Sequence, residues 1–380
     1  MPRTSRCAAG LVAVLATALL VACGAPASGD AGGGATGQNA AAAAALAPYL
    51  KKPSVLPNLK PLPQRPPTGK TVYYVNTGSG SAAEIAHGVE AAAKALGWSY
   101  KQLTYNVANP ATGNSAYLAA MNAGADGIIS TGLPQAAIRD ALDKAKAKGV
   151  KVVLINPTES PEGTDIGHVG NVQVLATAYG KVNALAIAAD SEKSGKKAKV
   201  AVVSSSGIPI LTTLTDAMID GLKENCQGCE VDNVDVSAAA ITSGQASTEV
   251  ISYIQRHPGT NYVNLAVGAF EGGMRSALDA AGLKDVKIAG TQPTVAQNKE
   301  IQSGDSLFWL QVPYGYEAWE AVDALARSFT GGELTTHNTE EIPIWVVDKT
   351  NLDFDPKKLP EFPTDYQSQF AKLWKVSPTS

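Results

Sequence analysis

From Thr71 onward, short apolar runs alternate with longer segments whose apolar residues recur every three or four positions. Thr71 to Val75 reads as a strand, and Ser81 to Leu96 as a helix opened by the capping box Ser81-Ala-Ala-Glu84. The alternation predicts strands over 99–105, 127–130 and 150–155, with helices over 113–123 and 135–148 between them. After a helix-like stretch at 171–189 the pattern resumes. It gives strands at 198–203, 230–235, 262–266, 286–288 and 307–312, and helices at 209–223, 244–256, 272–281 and 317–328. Strands that alternate with helices of this length form parallel sheets covered on both faces, because each crossover helix packs back onto the sheet. The fold class is therefore α/β, with doubly wound parallel sheets. The break between the two series, near residues 160–170, predicts two lobes.

Upstream of Thr71 the periodicity stops. Arg3 and Arg6 precede the apolar run Leu11 to Cys23, the charged, apolar and small-residue layout of a secretory signal. The run is shorter than the ~20 residues a helix needs to span hydrocarbon. Its end, Leu20-Val-Ala-Cys23, resembles the lipobox of bacterial lipoproteins, which implies cleavage before Cys23 and lipid on its sulfur, so that residues 1–22 are a signal peptide. An ordinary secretory signal with an incidental cysteine is the plainer alternative. Gly24 to Ala47 is almost entirely Gly, Ala, Ser and Thr, and Lys51 to Lys70 is rich in proline, so 23–70 reads as a linker, flexible and then semi-rigid.

Losing the leader's two arginines leaves 29 basic residues against 34 acidic ones, a net of −5. A mildly acidic chain without a basic run has nothing to offer a phosphate backbone, which argues against nucleic-acid binding. Beyond the leader only Cys226 and Cys229 remain, in Glu-Asn-Cys-Gln-Gly-Cys-Glu. They follow a helical segment rather than open one, so no helix dipole lowers a thiol pKa as a redox pair requires. His87, His168, His257 and His337 are scattered and complete no metal set. In an oxidising compartment a small structural disulfide between Cys226 and Cys229 is the expectation, with no metal and no cofactor.

Several phrases then become specific: Gly88-Val-Glu-Ala-Ala-Ala-Lys-Ala-Leu-Gly97, Ala125-Asp-Gly-Ile-Ile129, Ala145-Lys-Ala-Lys-Gly-Val-Lys-Val-Val153, Asp220-Gly-Leu and Ala277-Leu-Asp-Ala-Ala-Gly282. With the leader and the two lobes, they resemble the type I periplasmic solute-binding proteins of ABC importers, in the branch related to sugar receptors. The resemblance covers Thr71 to about Ser328. It implies two doubly wound lobes joined by a multi-strand hinge, the N-terminal one from 71–170 plus about 313–345, the C-terminal one from 171–312 plus about 346–380. The same phrases occur in sugar-responsive repressors of this fold, but those begin with a DNA-binding helix pair and this chain with an export signal.

Such folds bind ligands in the crevice outside the carboxyl ends of the strands. That singles out Thr77 and Ser79 in the loop Asn76-Thr-Gly-Ser-Gly80, the strand-end Asn156, and, by alignment of phrases, Asp216, Phe270, Gln292, Gln311 and Tyr314. Gln311 matches a glutamine of the family's sugar receptors. Asn156, Asp216 and Gln292 stand where those receptors carry Asp, Arg and Asp, and the first loop has serine and glycine in place of aromatic residues. Phe270, Trp309 and Tyr314 are the rings left to cover a sugar face. No arginine stands at an aligned site position, which disfavours an anionic ligand.

Enzyme motifs are missing. Gly78-Ser-Gly80 lacks the third glycine of a dinucleotide fingerprint, there is no Gly-x-x-x-x-Gly-Lys or Gly-x-Ser-x-Gly, and Gly304-Asp-Ser-Leu307 is far from the domain start, where an esterase carries that string. The expected function is a monomeric, membrane-anchored solute receptor that closes over a small, uncharged, hydroxyl-rich ligand and presents it to ABC permease subunits. A receptor that signals to a membrane sensor kinase is the alternative, and an extracytoplasmic hydrolase a remoter one.

Overall fold

The computed structural model describes residues 41–377, apart from 57–58, 79, 107–108, 162–164, 207–208, 333 and 335–340. The leader, Cys23, the first part of the linker and Ser79 lie outside the described residues. The first series of elements is β1 (Thr71–Asn76), α1 (Ser81–Ala95), β2 (Ser99–Thr104), α2 (Ala111–Asn122), β3 (Gly127–Thr131), α3 (Arg139–Lys148), β4 (Lys151–Ile155) and β5 (Ile166–Val169). The second is α4 (Val172–Ser194), β6 (Lys199–Ser204), α5 (Pro209–Asn225), β7 (Glu230–Asp235), α6 (Ala238–Thr242), α7 (Ala246–Arg256), β8 (Tyr262–Leu265), α8 (Met274–Ala280), β9 (Lys287–Thr291), α9 (Val295–Ser303) and β10 (Phe308–Gln311). Then α10 (Tyr314–Phe329), β11 (Trp345–Asp348) and α11 (Tyr366–Trp374) complete the chain.

Two sheets result, ordered β2-β1-β3-β4-β5 and β11-β10-β9-β8-β6-β7, parallel throughout except for antiparallel β11 on β10. Their orders are equivalent, so each sheet reverses its winding beside its own first strand, between β1 and β3 and between β6 and β8. Central strands such as β4 and β8 are buried along their length, whereas the edge strands β2 and β7 carry mostly exposed and half-exposed residues. This is the distribution expected of sheets covered on both faces with edges left to solvent.

Helix α10 returns from the second sheet to pack on the first lobe, where Ala318 lies against Gly88 of α1. A Cβ at Gly88 would meet the Ala318 Cβ at 2.6 Å, so the absent side chain sets how close these helices come. Helix α4 is 23 residues long and apolar enough to cross a membrane by length and composition, but 61% of that apolar window is buried within the fold. Its apolarity serves its crossing with α5. There Gly180 and Gly221 face each other, and a Cβ on either would overlap the other helix's backbone.

Three readings of the sequence are corrected. Ser81 and Glu84 form no capping box: the N-cap of α1 is Gly80, at φ +59°, without a side-chain bond. The reciprocal box is instead Thr294 with Gln297, at the start of α9, an element the apolar pattern did not predict. The linker is not only a spacer, because the described residues of 41–70 lie along the folded body. Ala42, Leu46, Leu56 and Leu62 are buried, and backbone groups tie the strap down along its length. Leu50 O accepts from Asn351 Nδ2 (2.8 Å), Leu62 N donates to Leu373 O (2.9 Å), Pro67 O accepts from Trp98 Nε1 (2.7 Å) and Gly69 N donates to Gly97 O (3.0 Å). The strap thus runs from the second lobe, past α11, to the first.

Candidate ligand-binding cleft

Where the carboxyl ends of the two sheets face each other lies a cavity of about 290 Å³. The first lobe lines it with Thr77 after β1, Ser81, Ala82 and Ile85 of α1, Thr131 and Gly132 at the end of β3, and Asn156 after β4. From the second lobe come Val172, Leu175, Ala176 and Tyr179 of α4, Leu211 and Leu214 of α5, Val267 after β8, and Gln292 after β9. Val312 and Tyr314, where the chain crosses back between lobes, complete the wall. A larger hollow of about 520 Å³ lies beneath the strap, against Ala186, Leu307 and Phe308, but only the second lobe and the strap contribute to it, away from the strand ends. The cleft is at the small end of the ~300–1,000 Å³ typical of ligand sites.

Asn156 and Gln292 are counterparts. Each follows the fourth strand of its sheet and adds one more bond to the neighbouring strand, Asn156 N to Val169 O (2.8 Å) and Gln292 N to Leu310 O (3.1 Å). Each then turns to positive φ, +49° and +51°, ahead of a proline. Residues with side chains rarely adopt that conformation, and it is retained where the surrounding structure over-determines it, often at functional sites. Here it turns both side chains off the sheets.

Their surroundings differ. The Asn156 amide donates to Glu317 Oε2 (3.1 Å), and its own Oδ1 is buried without a partner. Gly170, at φ +69°, makes room for that oxygen, since a Cβ there would overlap it. Glu317, in the first turn of α10, is fully buried, and burial pushes its carboxyl up to about 8, with the Glu320 charge adding to the rise and the Asn156 bond opposing it. Its Oε1 has no partner. The Tyr179 and Tyr314 hydroxyls are held neutral, first by burial and then by proximity to Glu317. Among the described residues the Gln292 amide has no hydrogen-bond partner, and the side chain is half-buried at the cleft wall.

Thr77, Asn156, Gln292 and Tyr314 therefore come together as the sequence places them. Four other expected residues do not. Phe270 is buried in the core of the second lobe among Val263, Leu265 and Met274, which removes its ring from the cleft, and Trp309 is wholly buried in the same core. Gln311 is also buried, and its amide donates to Asn298 Oδ1 (2.9 Å), a partner inside the lobe. Asp216 is exposed on the outer side of α5, while Leu211 and Leu214 of that helix face the cavity. Ser79 is outside the described residues.

Residues that sequence reasoning missed are the aliphatic ones, Leu175, Leu211 and Leu214, together with Tyr179, whereas Thr131 and Gly132 stand at the cleft as the end of the third strand predicts. Apolar positions on a helix read as core, and only the meeting of two lobes reveals that these face a cavity. Among the described residues no group of three His, Cys, Asp or Glu side chains is placed to hold a metal. Cys226 and Cys229 are joined in a disulfide in the turn between α5 and β7.

A family model described as periplasmic binding protein domain matches residues 72–333. The chain belongs to the periplasmic binding protein family. The family is one of non-enzymatic, extracytoplasmic binding proteins, which gives the chain a solute-binding role. No curated relative matches the chain. Among solved structures it is similar to an ABC transporter periplasmic solute-binding protein from Actinobacillus succinogenes 130z with bound D-allose, at 16% identity and a TM-score of 0.64, over 75% of this chain and 99% of that one. It is also similar to a periplasmic ribose ABC transporter protein from Conexibacter woesei, at 17% identity and TM-score 0.63, over 77% and 95%. A solute-binding protein from Mycobacterium smegmatis with bound glycerol gives 15% identity and TM-score 0.62, over 77% and 100%. Identities this low show the shared two-lobed fold.

Proposed function

We propose that this periplasmic binding protein is anchored to the cell membrane through lipid on Cys23, closes its lobes over a small uncharged ligand of the sugar and polyol kind, and delivers it to the transmembrane subunits of an ABC importer. The observation that carries the reading is the cavity itself. It lies at the carboxyl ends of both sheets, takes residues from both lobes of one chain, and has no ionised side chain among the described residues of its wall. A charged ligand buried there would lack a counter-charge, which is costly in a low-dielectric cleft. The ligands named for the similar structures, D-allose and glycerol among them, support the class, and the export signal supports the location. Because one chain supplies the whole cleft, the monomer is the working unit.

The test is mass spectrometry of small molecules released from the purified protein, followed by calorimetric titration of the recovered compound. A neutral polyhydroxylated compound that rebinds at one site per chain is the expected result. A phosphorylated or carboxylated ligand would overturn the assignment of class. Metabolic labelling with a lipid precursor tests the anchor: labelling should be lost in Cys23→Ser, and a variant labelled as well as the wild type would remove the anchor from the account.

A further inference from the structure

The two faces of the cleft differ in polarity, and the difference narrows the ligand. The first lobe lines the cavity with the polar residues Thr77, Ser81, Thr131, whose hydroxyl also donates to Ile155 O (3.2 Å), and Asn156, whose amide donates to Glu317 (3.1 Å). Opposite them, Leu175, Leu211 and Leu214 form an aliphatic wall on α4 and α5. The Gly180 and Gly221 crossing holds the two helices in backbone contact, so the wall is one unit. It has no polar groups in reserve, since Tyr179 and Gln292 are the only described side chains on that side able to hydrogen-bond within the cavity.

Resting on the receptor reading above, we infer that the ligand is a neutral sugar or polyol with a methyl or deoxygenated edge, its hydroxyls directed to the first lobe and its aliphatic edge to the leucines of the second. A hydroxyl closed against that wall would be stripped of water and given no partner, which costs about tenfold to a hundredfold in affinity. A methyl group in the same place is favoured by burial of its surface. The carboxyl behind Asn156 agrees with a neutral ligand, because burial raises Glu317 to about 8 and it carries little charge at neutral pH.

Pairs of sugars that differ in one oxygen test the inference: each 6-deoxyhexose (L-rhamnose, L-fucose, D-fucose, D-quinovose) against its parent hexose, by calorimetric titration of the full chain, with small-angle scattering of each complex. At least one deoxy sugar should bind about tenfold or more tightly than its parent. Parents that bind as well as or better than every deoxy partner, and contract the protein, would overturn the inference and leave the receptor reading standing. Absence of binding or contraction across the whole panel would overturn both. The variant Leu214→Gln should lose the deoxy preference by about tenfold without losing the parent sugar. A preference unchanged in a folded variant would take the leucine wall out of the account, and the wild-type panel decides the ligand class even if the variant does not fold.

Discussion

Asn156-Pro157 and Gln292-Pro293 occupy the same place in two equivalent sheets, with the same added ladder bond and nearly the same positive φ, yet their side chains are wired differently. In the first lobe the amide is fixed from behind by a buried carboxyl and by the space that Gly170 leaves. In the second lobe the amide has no hydrogen-bond partner among the described residues. Shared backbone geometry thus delivers a planar polar group to each side of the cleft, and the packing behind it decides whether that group also bears on stability. The first lobe holds a preset polar face, and the second offers an aliphatic wall with one free amide.

The largest expected effect comes from the carboxyl behind Asn156. An acid raised from 4.5 to about 8 by burial binds its proton more tightly folded than unfolded. Its burial costs nothing below pH 4.5, and stability is lost as pH rises from there through about 8. At about 1.36 kcal/mol per unit the full loss is on the order of 5 kcal/mol. Glu317→Gln removes the titration and keeps an acceptor for Asn156, so denaturant unfolding should show the variant level with wild type near pH 4 and more stable by several kcal/mol at pH 9. Parallel curves for the two proteins would show that Glu317 is not held protonated. Glu300 of the second lobe is also pushed to about 8, by burial and then by hydrogen bonding to Glu271, so the wild-type curve retains some slope after the substitution.

Smaller effects are expected where the two strand ends are compared directly. Glycine tolerates positive φ, so Asn156→Gly and Gln292→Gly remove the amides without straining the backbone. Gln292→Gly should weaken ligand binding tenfold to a hundredfold, about 1 to 3 kcal/mol, and leave the unfolding midpoint nearly unchanged. Asn156→Gly should weaken binding as well and also destabilise the free protein, since Glu317 Oε2 loses its donor. Equal stability losses in the two variants, measured by thermal unfolding without ligand, would erase the distinction between the lobes.

The smallest effect belongs to the Cys226–Cys229 bridge on the outer side of the second lobe. Closing so short a loop limits the unfolded chain little, so the double serine variant should lose about 1 to 2 kcal/mol and bind ligand as wild type does. Two free thiols titrated in denaturant without reductant would show that the bridge does not form.

The sequence was most readable where one element buries one simple pattern. Central strands such as Val152 to Ile155 and Val200 to Val203 are apolar on both faces, and the alternation with helices led straight to the two sheets. Elements with a weaker pattern were missed. Helix α9 buries Gln297 and Asn298, so it has no apolar stripe to detect, and β5 is only Ile-Gly-His-Val. The strap looked like a spacer because its bonds use backbone carbonyls and amides, which composition does not report. At the cleft wall, strand-end position led to Thr77 and Asn156, because winding order fixes where strand ends point, and alignment of phrases led to Gln292 and Tyr314. The same alignment put Gln311 and Phe270 at the cleft, but their inward direction depends on what Asn298 and the second core offer them. The leucine wall was invisible for the opposite reason: nothing in a helix's apolar face says whether it meets a core or a ligand.

Because the cleft is lined from both lobes, a ligand that touches both has a higher affinity for the closed form, and that differential affinity is what drives closure. Small-angle scattering of the purified protein, first stripped of solute and then saturated with the recovered ligand, measures this directly. The account predicts a smaller radius of gyration at full occupancy, with the contraction lost at the same ligand concentration in Gln292→Gly and regained when the ligand is raised to saturate the variant. An unchanged radius of gyration in wild type at confirmed full occupancy would contradict it.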